Sequence, residues 1–273
     1  MIDLHSHILP GLCDGSKNLE TSLAMARIAV ADGTTHLACT PHIYPGIYHN
    51  STSTIVPALH HLQAALDEAE IPLTLIAGAD VHMVPEVMMG LHNGDIPTLH
   101  GSRYFLLEPS HHVPVTGFLE QIENFINAGY VPLITHPERL RWLDDHYQDF
   151  VTAAQQGAWI QITAGAISGK FGNKAKQWSE RMLQEGIVHI IASDAHGTER
   201  RPPILSEGIA AAIDITGDQA EIMRMVVERP QAVLDNANPA AVSQPPGLST
   251  AFVPYMASEQ LATKKGWFSR FFA

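Results

Sequence analysis

Short apolar runs alternate with longer amphipathic stretches along most of this 273-residue chain. The runs have the length of buried strands, and the stretches between them repeat apolar residues at helical spacing. Because parallel strands need a crossover connection, this alternation predicts a parallel α/β sheet. About seven strand–helix units in succession favour a closed or nearly closed barrel, although an open doubly wound sheet also fits the pattern. The predicted strands are residues 2–5, 35–40, 73–81, 104–108, 131–135, 159–163 and 188–193. The predicted helices are residues 19–31, 55–69, 118–128, 150–156, 175–185, 204–215, 219–227 and 230–234.

The chain is acidic, with a formal net charge of −12. Such a charge argues against binding to a nucleic-acid backbone as the main role. An acidic protein that acts on an anionic substrate must concentrate positive charge locally, and bound metal ions with a few arginines could do so. No glycine-rich nucleotide-binding motif follows any predicted strand, so a nucleotide-binding fold is not indicated.

The cysteines exclude one kind of phosphate chemistry and indicate a compartment. Two cysteines, Cys13 and Cys39, cannot form a disulfide framework, and this fits a reducing environment. We see no signal peptide and no transmembrane span, so we expect a cytoplasmic protein. A cysteine nucleophile of the tyrosine-phosphatase type needs arginine six residues later. Those positions hold Leu19 and Pro45, which excludes that mechanism.

Side chains that bind metals stand at one level of the predicted barrel. Histidine is the most common protein ligand of transition metals, and the chain has 16 histidines. Histidines or carboxylates lie at or just after the carboxyl ends of most predicted strands. In a parallel barrel these ends converge on one mouth, so we expect the side chains to meet there. They are His5, His7, His42, Asp80, Glu108, His136, Asp194 and His196.

The spacing and chemistry of these residues suit more than one metal ion. His5 and His7 are two apart in an extended segment, which places both rings on the same side. Imidazole mixed with carboxylate suits Mn, Fe, Zn or Mg, and the set is too large for one tetrahedral ion. Taken singly, each residue also fits a structural role, and Asp14 fits a turn. We predict that the remaining histidines are not ligands: His36, His49, His60, His61, His82, His92, His100, His111, His112, His146 and His189.

Two arginines stand close to these candidates in the sequence. Arg139 follows His136 by three residues, and Arg201 follows His196 by five. A guanidinium group matches phosphate oxygens bidentately, so the pair reads as a phosphate clamp. Solvated surface charge, or an ion pair with a neighbouring glutamate, is the alternative.

The composition changes after residue 235. Asn, Pro, Gln and Gly residues between 236 and 247 indicate a linker. The last ten residues, 264–273, are basic and aromatic, and they fit a peptide that docks on a partner or a membrane surface. The alternative is a tail that folds back on its own domain, or a disordered end. We therefore divide the chain into a domain at 1–235 and a tail at 236–273.

Several short segments, taken in order, carry a family resemblance. The segments are DLHSHILPG at 3–11 with DG at 14–15, TPH at 40–42, IPTL at 96–99, SRY at 102–104, THPER at 135–139, and SDAH at 193–196 with RPP at 201–203. Together they resemble the manganese-dependent protein-tyrosine phosphatases of bacterial capsule and exopolysaccharide loci, which belong to the polymerase-and-histidinol-phosphatase (PHP) superfamily. The resemblance covers residues 1–235.

The resemblance implies a fold, a metal centre and a substrate. The fold would be a distorted (β/α)7, TIM-like barrel in a single domain. The centre would hold two or three divalent ions. Mn is the expected metal, and Fe, Zn, Mg or Ni are the alternatives. The substrate would be phosphotyrosine on a protein, for which a tyrosine kinase that regulates polysaccharide synthesis is the expected partner. Oligomeric state is not implied.

The resemblance also assigns roles by position. Asp80 stands where the family usually has Glu, and Cys13 stands where it usually has Asp; the first change shortens a bridging side chain. One ion would be held by His5, His7 and Asp194, a second by Glu108 and His136, and a third by Asp14, His42 and His196, with Asp80 bridging two ions and Arg139 and Arg201 binding phosphate.

Three other functions remain open from the sequence. A small-molecule phosphatase of the same superfamily, such as one acting on histidinol phosphate, would need a closed pocket. A metal-dependent nuclease is opposed by the net charge of −12. A catalytically weakened metal-binding module draws support from the replacement at Asp80.

Overall fold

Parallel strands form the framework of this protein, whose structure is a computed structural model that describes residues 1–249. Most strands coincide with apolar runs of the sequence, and most strand residues are buried. Within the described residues the strands are β1 (Ile2–Ser6), β2 (His36–Cys39), β3 (His42–Ile43), β4 (Thr74–Ala77), β5 (Asp80–His82), β6 (Tyr104–Glu108), β7 (Val131–Thr135), β8 (Trp159–Thr163) and β9 (Ile190–Ala192).

The strands join into a barrel. One sheet has the order β1-β2-β4, the other has the order β3-β5-β6-β7-β8-β9, and all pairs are parallel. Because β2 runs on into β3 and β4 into β5, each pair forms one interrupted barrel strand. A bridge from Ser6 to Ala195 and a 2.9 Å hydrogen bond from Asp194 N–H to the His5 carbonyl join β1 to the chain after β9. The result is seven barrel strands, which confirms the predicted fold class.

The prediction of one continuous strand over residues 73–81 is wrong. The chain leaves the sheet at Gly78, where an added Cβ would lie 2.8 Å from the Leu99 side chain. Backbone that packs this tightly against a neighbouring segment cannot also continue a regular strand. Asp80 therefore begins the short strand β5 instead of ending the third predicted strand.

Helices cover the outside of the barrel. Asn18 caps the first of them, since its side chain accepts a hydrogen bond from Thr21 N–H. Most match the predicted stretches, but α3 and α6 are short and were not predicted, and α5 begins earlier than expected. They are α1 (Leu19–Ala31), α2 (Thr52–Glu68), α3 (Val87–Asn93), α4 (Phe118–Asn127), α5 (Leu143–Gln156), α6 (Ala164–Ile167), α7 (Asn173–Gln184), α8 (Ser206–Thr216), α9 (Gln219–Met223) and α10 (Arg229–Leu234). No helix within residues 1–249 has both the length and the apolar character needed to cross a membrane.

Strand alternation carries polar side chains to the mouth of the barrel. In β6, Tyr104 and Leu106 belong to the small apolar cluster inside the barrel, whereas Phe105 and Leu107 belong to the larger one between sheet and helices. A period of two then directs Glu108, the last residue of β6, to the interior face.

Residues 236–249 pack against the barrel. Leu248 is buried, and Gly247 N–H donates a 2.9 Å hydrogen bond to the Gly186 carbonyl. The predicted domain boundary after residue 235 stays a prediction. The basic and aromatic segment 264–273 lies outside the described residues.

Candidate metal centre

The strand ends, together with the loop that follows β1, bring all nine candidate ligands into one pocket. At its deepest point, His5 Nε2 lies 3.1 Å from His7 Nε2 and 3.3 Å from Asp194 Oδ1. His7 Nε2 lies 3.2 Å from the same Asp194 oxygen. All three side chains are at most 1% exposed. Two imidazole nitrogens and a carboxylate oxygen therefore converge on one small volume.

Asp80 lies between the first histidines and the next group. Its Oδ2 is 3.5 Å from His5 Nε2 and 3.3 Å from His42 Nδ1. His42 Nδ1 is in turn 3.4 Å from Glu108 Oε2. Although Asp is one methylene shorter than the usual Glu, it still reaches both histidines. The break in the third barrel strand places it there.

A more open group lies at the edge of the pocket. Asp14 Oδ1 is 3.5 Å from His42 Nε2 and 3.4 Å from His196 Nε2, and the Asp14 side chain is 49% exposed. Glycine is required after Asp14, because a Cβ on Gly15 would lie 2.1 Å from the His7 carbonyl oxygen. The Asp14-Gly15 turn thus packs directly on the segment that carries His7.

Two of the candidates have unusual backbone conformations. His136 has φ +37° and Asp194 has φ +51°, both in the left-handed region that few non-glycine residues adopt. Hydrogen bonds hold each in place, from His136 N–H to the Gln161 carbonyl and from Asp194 N–H to the His5 carbonyl. Strain of this kind persists where the surroundings fix the residue, and it concentrates at functional sites.

Neighbouring groups fix which ring nitrogen faces the pocket. His5 Nδ1 lies 2.8 Å from Gln161 Oε1, and His196 Nδ1 lies 2.9 Å from the Asp194 carbonyl oxygen. These contacts leave Nε2 of each ring as the atom for a ligand. His7 Nδ1 has the Cys13 sulfur at 3.3 Å as its partner. Cys13 therefore supports a candidate ligand, a role that the sequence did not reveal.

Two histidines that the sequence assigned to the non-ligands contact the centre. His111 Nε2 lies 3.2 Å from Glu108 Oε1, and together with His136 they could hold one ion. His82 Nδ1 lies 3.8 Å from Glu108 Oε2, with Tyr44 stacked on its ring at 3.8 Å. His82 is the last residue of β5, so its position at a strand end could have indicated it, but the sequence analysis placed Asp80 at the end of that strand. His111 lies in a loop after β6 and has no such signal.

The electrostatics fit divalent cations. Burial alone would lower the pKa of His5, but the Asp194 and Asp80 carboxylates raise it to about 9. Despite the opposing effect of burial, the pKa of both carboxylates is held well below its usual range, and His5 contributes to this in each case. Within residues 1–249, several buried atoms that could bind a metal have no hydrogen-bond partner. Among them are Asp80 Oδ2, Asp194 Oδ1, His42 Nδ1 and His196 Nε2. Carboxylate and imidazole lone pairs without donors are the donor set that Mn²⁺, Fe²⁺ or Zn²⁺ takes.

Both predicted arginines reach the pocket. Arg139 Nη1 and Arg201 Nη2 donate to the same oxygen, Asp194 Oδ2. Within residues 1–249, both arginines form their ion pairs with Asp194 and neither forms one with Glu138, whose Oε1 accepts a 2.8 Å hydrogen bond from Thr163 N–H. Two guanidinium groups thus stand beside the candidate ligands with part of each exposed, in positions to meet an anion.

A seven-stranded α/β barrel with imidazoles, carboxylates and two arginines at its mouth defines a metal-binding barrel of the TIM type. The chain belongs to the family described as "Capsular polysaccharide synthesis, CpsB/CapC", which matches residues 1–235. This confirms the family predicted from the sequence.

Named relatives share most of their length with this chain. Tyrosine-protein phosphatase YwqE of Bacillus subtilis is 33% identical over 238 residues, which cover 86% of this chain and 92% of YwqE. Tyrosine-protein phosphatase CpsB of Streptococcus pneumoniae is 29% identical and covers 76% of this chain and 87% of CpsB.

A solved structure agrees with the fold. The crystal structures of YwqE and CpsB, described as unique metal-dependent tyrosine phosphatases, include a chain that superposes with a TM-score of 0.83 at 30% identity. It covers 87% of this chain and 96% of its own length. A probable 2-pyrone-4,6-dicarboxylic acid hydrolase of Acinetobacter baumannii, at TM-score 0.55 and 15% identity, shares the fold alone.

Proposed function

We propose that this protein is a metal-dependent phosphatase that hydrolyses phosphotyrosine on proteins. The observation that carries the proposal is the meeting of nine candidate ligands and two arginines in one pocket. Arg139 and Arg201 both donate to Asp194 Oδ2. The groups proposed to bind phosphate are therefore in direct contact with a candidate metal ligand. Relatives named as tyrosine-protein phosphatases support the same reaction.

The proposed ligands fall into three groups, with one carboxylate between them. Manganese is the proposed ion, on the family resemblance; the donors suit Fe, Zn, Mg and Ni as well. His111 is added as a further candidate beside the second ion, because it lies within reach of Glu108 and His136. The groups are His5, His7 and Asp194; Glu108 and His136; and Asp14, His42 and His196, with Asp80 between ions.

The chain's own side chains would bind and orient the phosphate ester. When bound, divalent ions lower the pKa of water and neutralise charge on phosphoryl oxygens. Arg139 and Arg201 would bind the non-bridging oxygens, where a fixed fork of donors stabilises charge that spreads in the transition state. Tyrosine leaves as a phenolate, whose ordinary pKa of about 10 reduces the need for a general acid.

Open surface beside the arginines favours a polypeptide substrate over an enclosed small molecule. A cleft of about 530 Å³ lies beside Arg139, and another of about 560 Å³ lies beside Arg201 and Asp14. A chain that presents phosphotyrosine could lie along either cleft. A phosphatase for histidinol phosphate would instead need a closed pocket with an acidic group for the substrate amine.

Turnover of two substrates tests this proposal. Full-length protein loaded with Mn²⁺ is assayed on a phosphotyrosine peptide and on histidinol phosphate, with and without a chelator. We expect chelator-sensitive hydrolysis of the peptide at a kcat/KM at least about tenfold above that of histidinol phosphate. A preference for histidinol phosphate would indicate a small-molecule phosphatase. Absence of turnover with every divalent metal would favour a metal-binding module.

The proposal includes a partner and a place of action. The phosphotyrosine protein would be a bacterial tyrosine kinase that regulates capsular or exopolysaccharide synthesis, and the reaction would occur in the cytoplasm. Cys13 and Cys39 are both free, as expected in a reducing compartment. The tail 264–273 would dock on the partner or the membrane surface. Deletion of 250–273 is expected to weaken binding to the kinase or to anionic vesicles, and unchanged binding to both would retire the docking role.

A further inference from the structure

We infer that Phe171 is a positioning residue that holds Arg139 and Arg201 side by side in the geometry that binds phosphate. The inference rests on the proposed phosphatase function and adds a residue to its machinery. Phe171 lies in the segment between α6 and α7, and no metal-ligating or hydrogen-bonding property of its side chain would suggest a role at the site.

One aromatic ring contacts both guanidinium groups. The guanidinium carbon of Arg139 lies 4.6 Å from the centroid of the Phe171 ring, and that of Arg201 lies 5.6 Å from it. Both distances are within the range of a cation–π interaction. The two arginines follow different strands, β7 and β9, so this ring links groups that the backbone brings from separate parts of the barrel.

The arginine pair needs such a contact. Two like charges close together repel each other, and each long side chain loses rotamer freedom when it is held in place. Asp194 compensates both charges, but it is also a candidate metal ligand, so a bound cation would compete for its carboxylate. The negative face of the Phe171 ring attracts both guanidinium groups and does not change when a metal binds.

The position of the ring is itself fixed. Lys170 N–H donates a 2.8 Å hydrogen bond to the Gly165 carbonyl, and Lys170 Nζ pairs with Glu207 on α8 at 2.5 Å. Gly165 leaves room for the ring, because an added Cβ there would lie 3.0 Å from Phe171 Cε2. The backbone hydrogen bond and the close fit at Gly165 thus hold the Phe171 ring against the arginines, where it also lines the cleft beside Arg139.

Phe171→Leu separates this role from simple filling of space, because leucine keeps an apolar side chain of similar bulk but has no π face. Phe171→Tyr keeps the face and serves as the matched control. Each full-length protein is loaded with Mn²⁺, and its affinity for inorganic phosphate is measured by calorimetry beside kcat and KM on a phosphotyrosine peptide. Metal content and melting temperature are measured on the same samples.

We expect Phe171→Leu to weaken phosphate binding and lower kcat/KM by about tenfold each, which corresponds to the loss of two modest cation–π contacts. Phe171→Tyr should stay within about twofold of the wild type, and metal content should not change in either. If Phe171→Leu lowers the melting temperature until little folded protein remains, Gly165→Ala is used instead. That change crowds the ring and should weaken phosphate binding in the same direction.

The outcomes distinguish this inference from the proposed function. Normal turnover by the wild type with unchanged phosphate affinity in Phe171→Leu would overturn the inference and leave the function standing. A wild type that binds phosphate but hydrolyses no ester would end the proposed function, while the phosphate affinities would still decide the role of Phe171. A wild type that binds no phosphate would overturn the inference.

Discussion

Both ends of the barrel bury charged side chains, but they differ in how completely those side chains are hydrogen-bonded. At the base, the fully buried Arg229 donates from Nη2 to Glu221 Oε1 at 2.7 Å and from Nε to the Ser243 carbonyl at 2.8 Å. At the mouth, Asp80 and Asp194 each retain a buried oxygen without a hydrogen-bond partner among residues 1–249. A buried acceptor without a hydrogen-bond partner is costly, so it persists only where something else compensates it. The base thus pairs its buried charge, whereas the mouth leaves buried acceptors open, as the proposed metal site requires.

Asp194→Asn should show the largest effect on the mouth side of this comparison. The change removes a charge shared by the candidate metal site and both arginines, and we expect kcat/KM on a phosphotyrosine peptide to fall by about 10³-fold. Thermal unfolding should stay cooperative, which shows that the loss is chemical. Activity within about tenfold of the wild type would mean that Asp194 is not shared in this way.

Arg229→Met tests the base. Removal of the cation leaves the buried Glu221 Oε1 without its partner, while Arg224 Nη1 still donates to Oε2 at 3.0 Å. We therefore expect the free energy of unfolding to fall by about 3 kcal/mol in urea titrations, the lower end for a broken buried pair. The activity of each folded molecule should not change, because the base lies at the opposite end of the strands. The double variant Arg229→Met with Glu221→Leu should recover most of the stability. If the double variant were as unstable as the single one, pairing would not be the reason for the loss.

A pH dependence sharpens the contrast further. Burial, helped by nearby Arg229, holds the pKa of His189 well below its ordinary value, so the folded protein keeps it neutral. The unfolded chain binds a proton below a pH of about 6.5, and the stability that neutral His189 supports is lost as the pH falls below that value.

His189→Asn should flatten this dependence. Between pH 6.5 and 5, the slope of unfolding free energy against pH should decrease by up to about 1.4 kcal/mol per pH unit. The asparagine oxygen can replace His189 Nδ1 as acceptor for Ile160 N–H, which lies 3.1 Å away. Parallel slopes for variant and wild type would show that another group titrates there.

The smallest expected effect concerns the thiol beside His7. Cys13→Asp would place a carboxylate against His7 Nδ1, where the sulfur now lies at 3.3 Å. A carboxylate partner raises the basicity of a ligating histidine, so we expect Mn²⁺ to bind about tenfold more tightly in equilibrium titrations. Cys39→Ala, at a buried cysteine away from the pocket, is the control. Equal affinity in the Cys13→Asp variant and the wild type would show that this contact does not tune the site.

Most of the candidate ligands were predicted from their positions at the carboxyl ends of the predicted strands. Glu108 ends β6 and His136 follows β7, and these strands pair in register from Tyr104 with Val131 to Leu107 with Ile134. Parallel neighbours of equal length must end at the same level, so the side chains that follow them meet. The same reasoning placed Asp194 and His5 together.

Residues in loops escaped this reasoning. His111, Cys13 and Phe171 follow no strand end that the sequence marks, and nothing in their spacing indicates what they contact. Asp80 was assigned to the wrong part of its strand, because the break at Gly78 arises from packing against Leu99. Such contacts join segments far apart in the chain, and local periodicity carries no information about them.

Apolar periodicity and the order of polar residues determined the barrel, the end at which the site lies and the types of ligand available there. These features are local, since strand and helix repeats depend on neighbours in the chain. The tertiary structure decided that Arg139 and Arg201 share Asp194 and rest on one ring, and that the charge of Arg229 is fully paired. Which atoms meet depends on the paths of loops between strands, and those paths are set by packing across the whole fold.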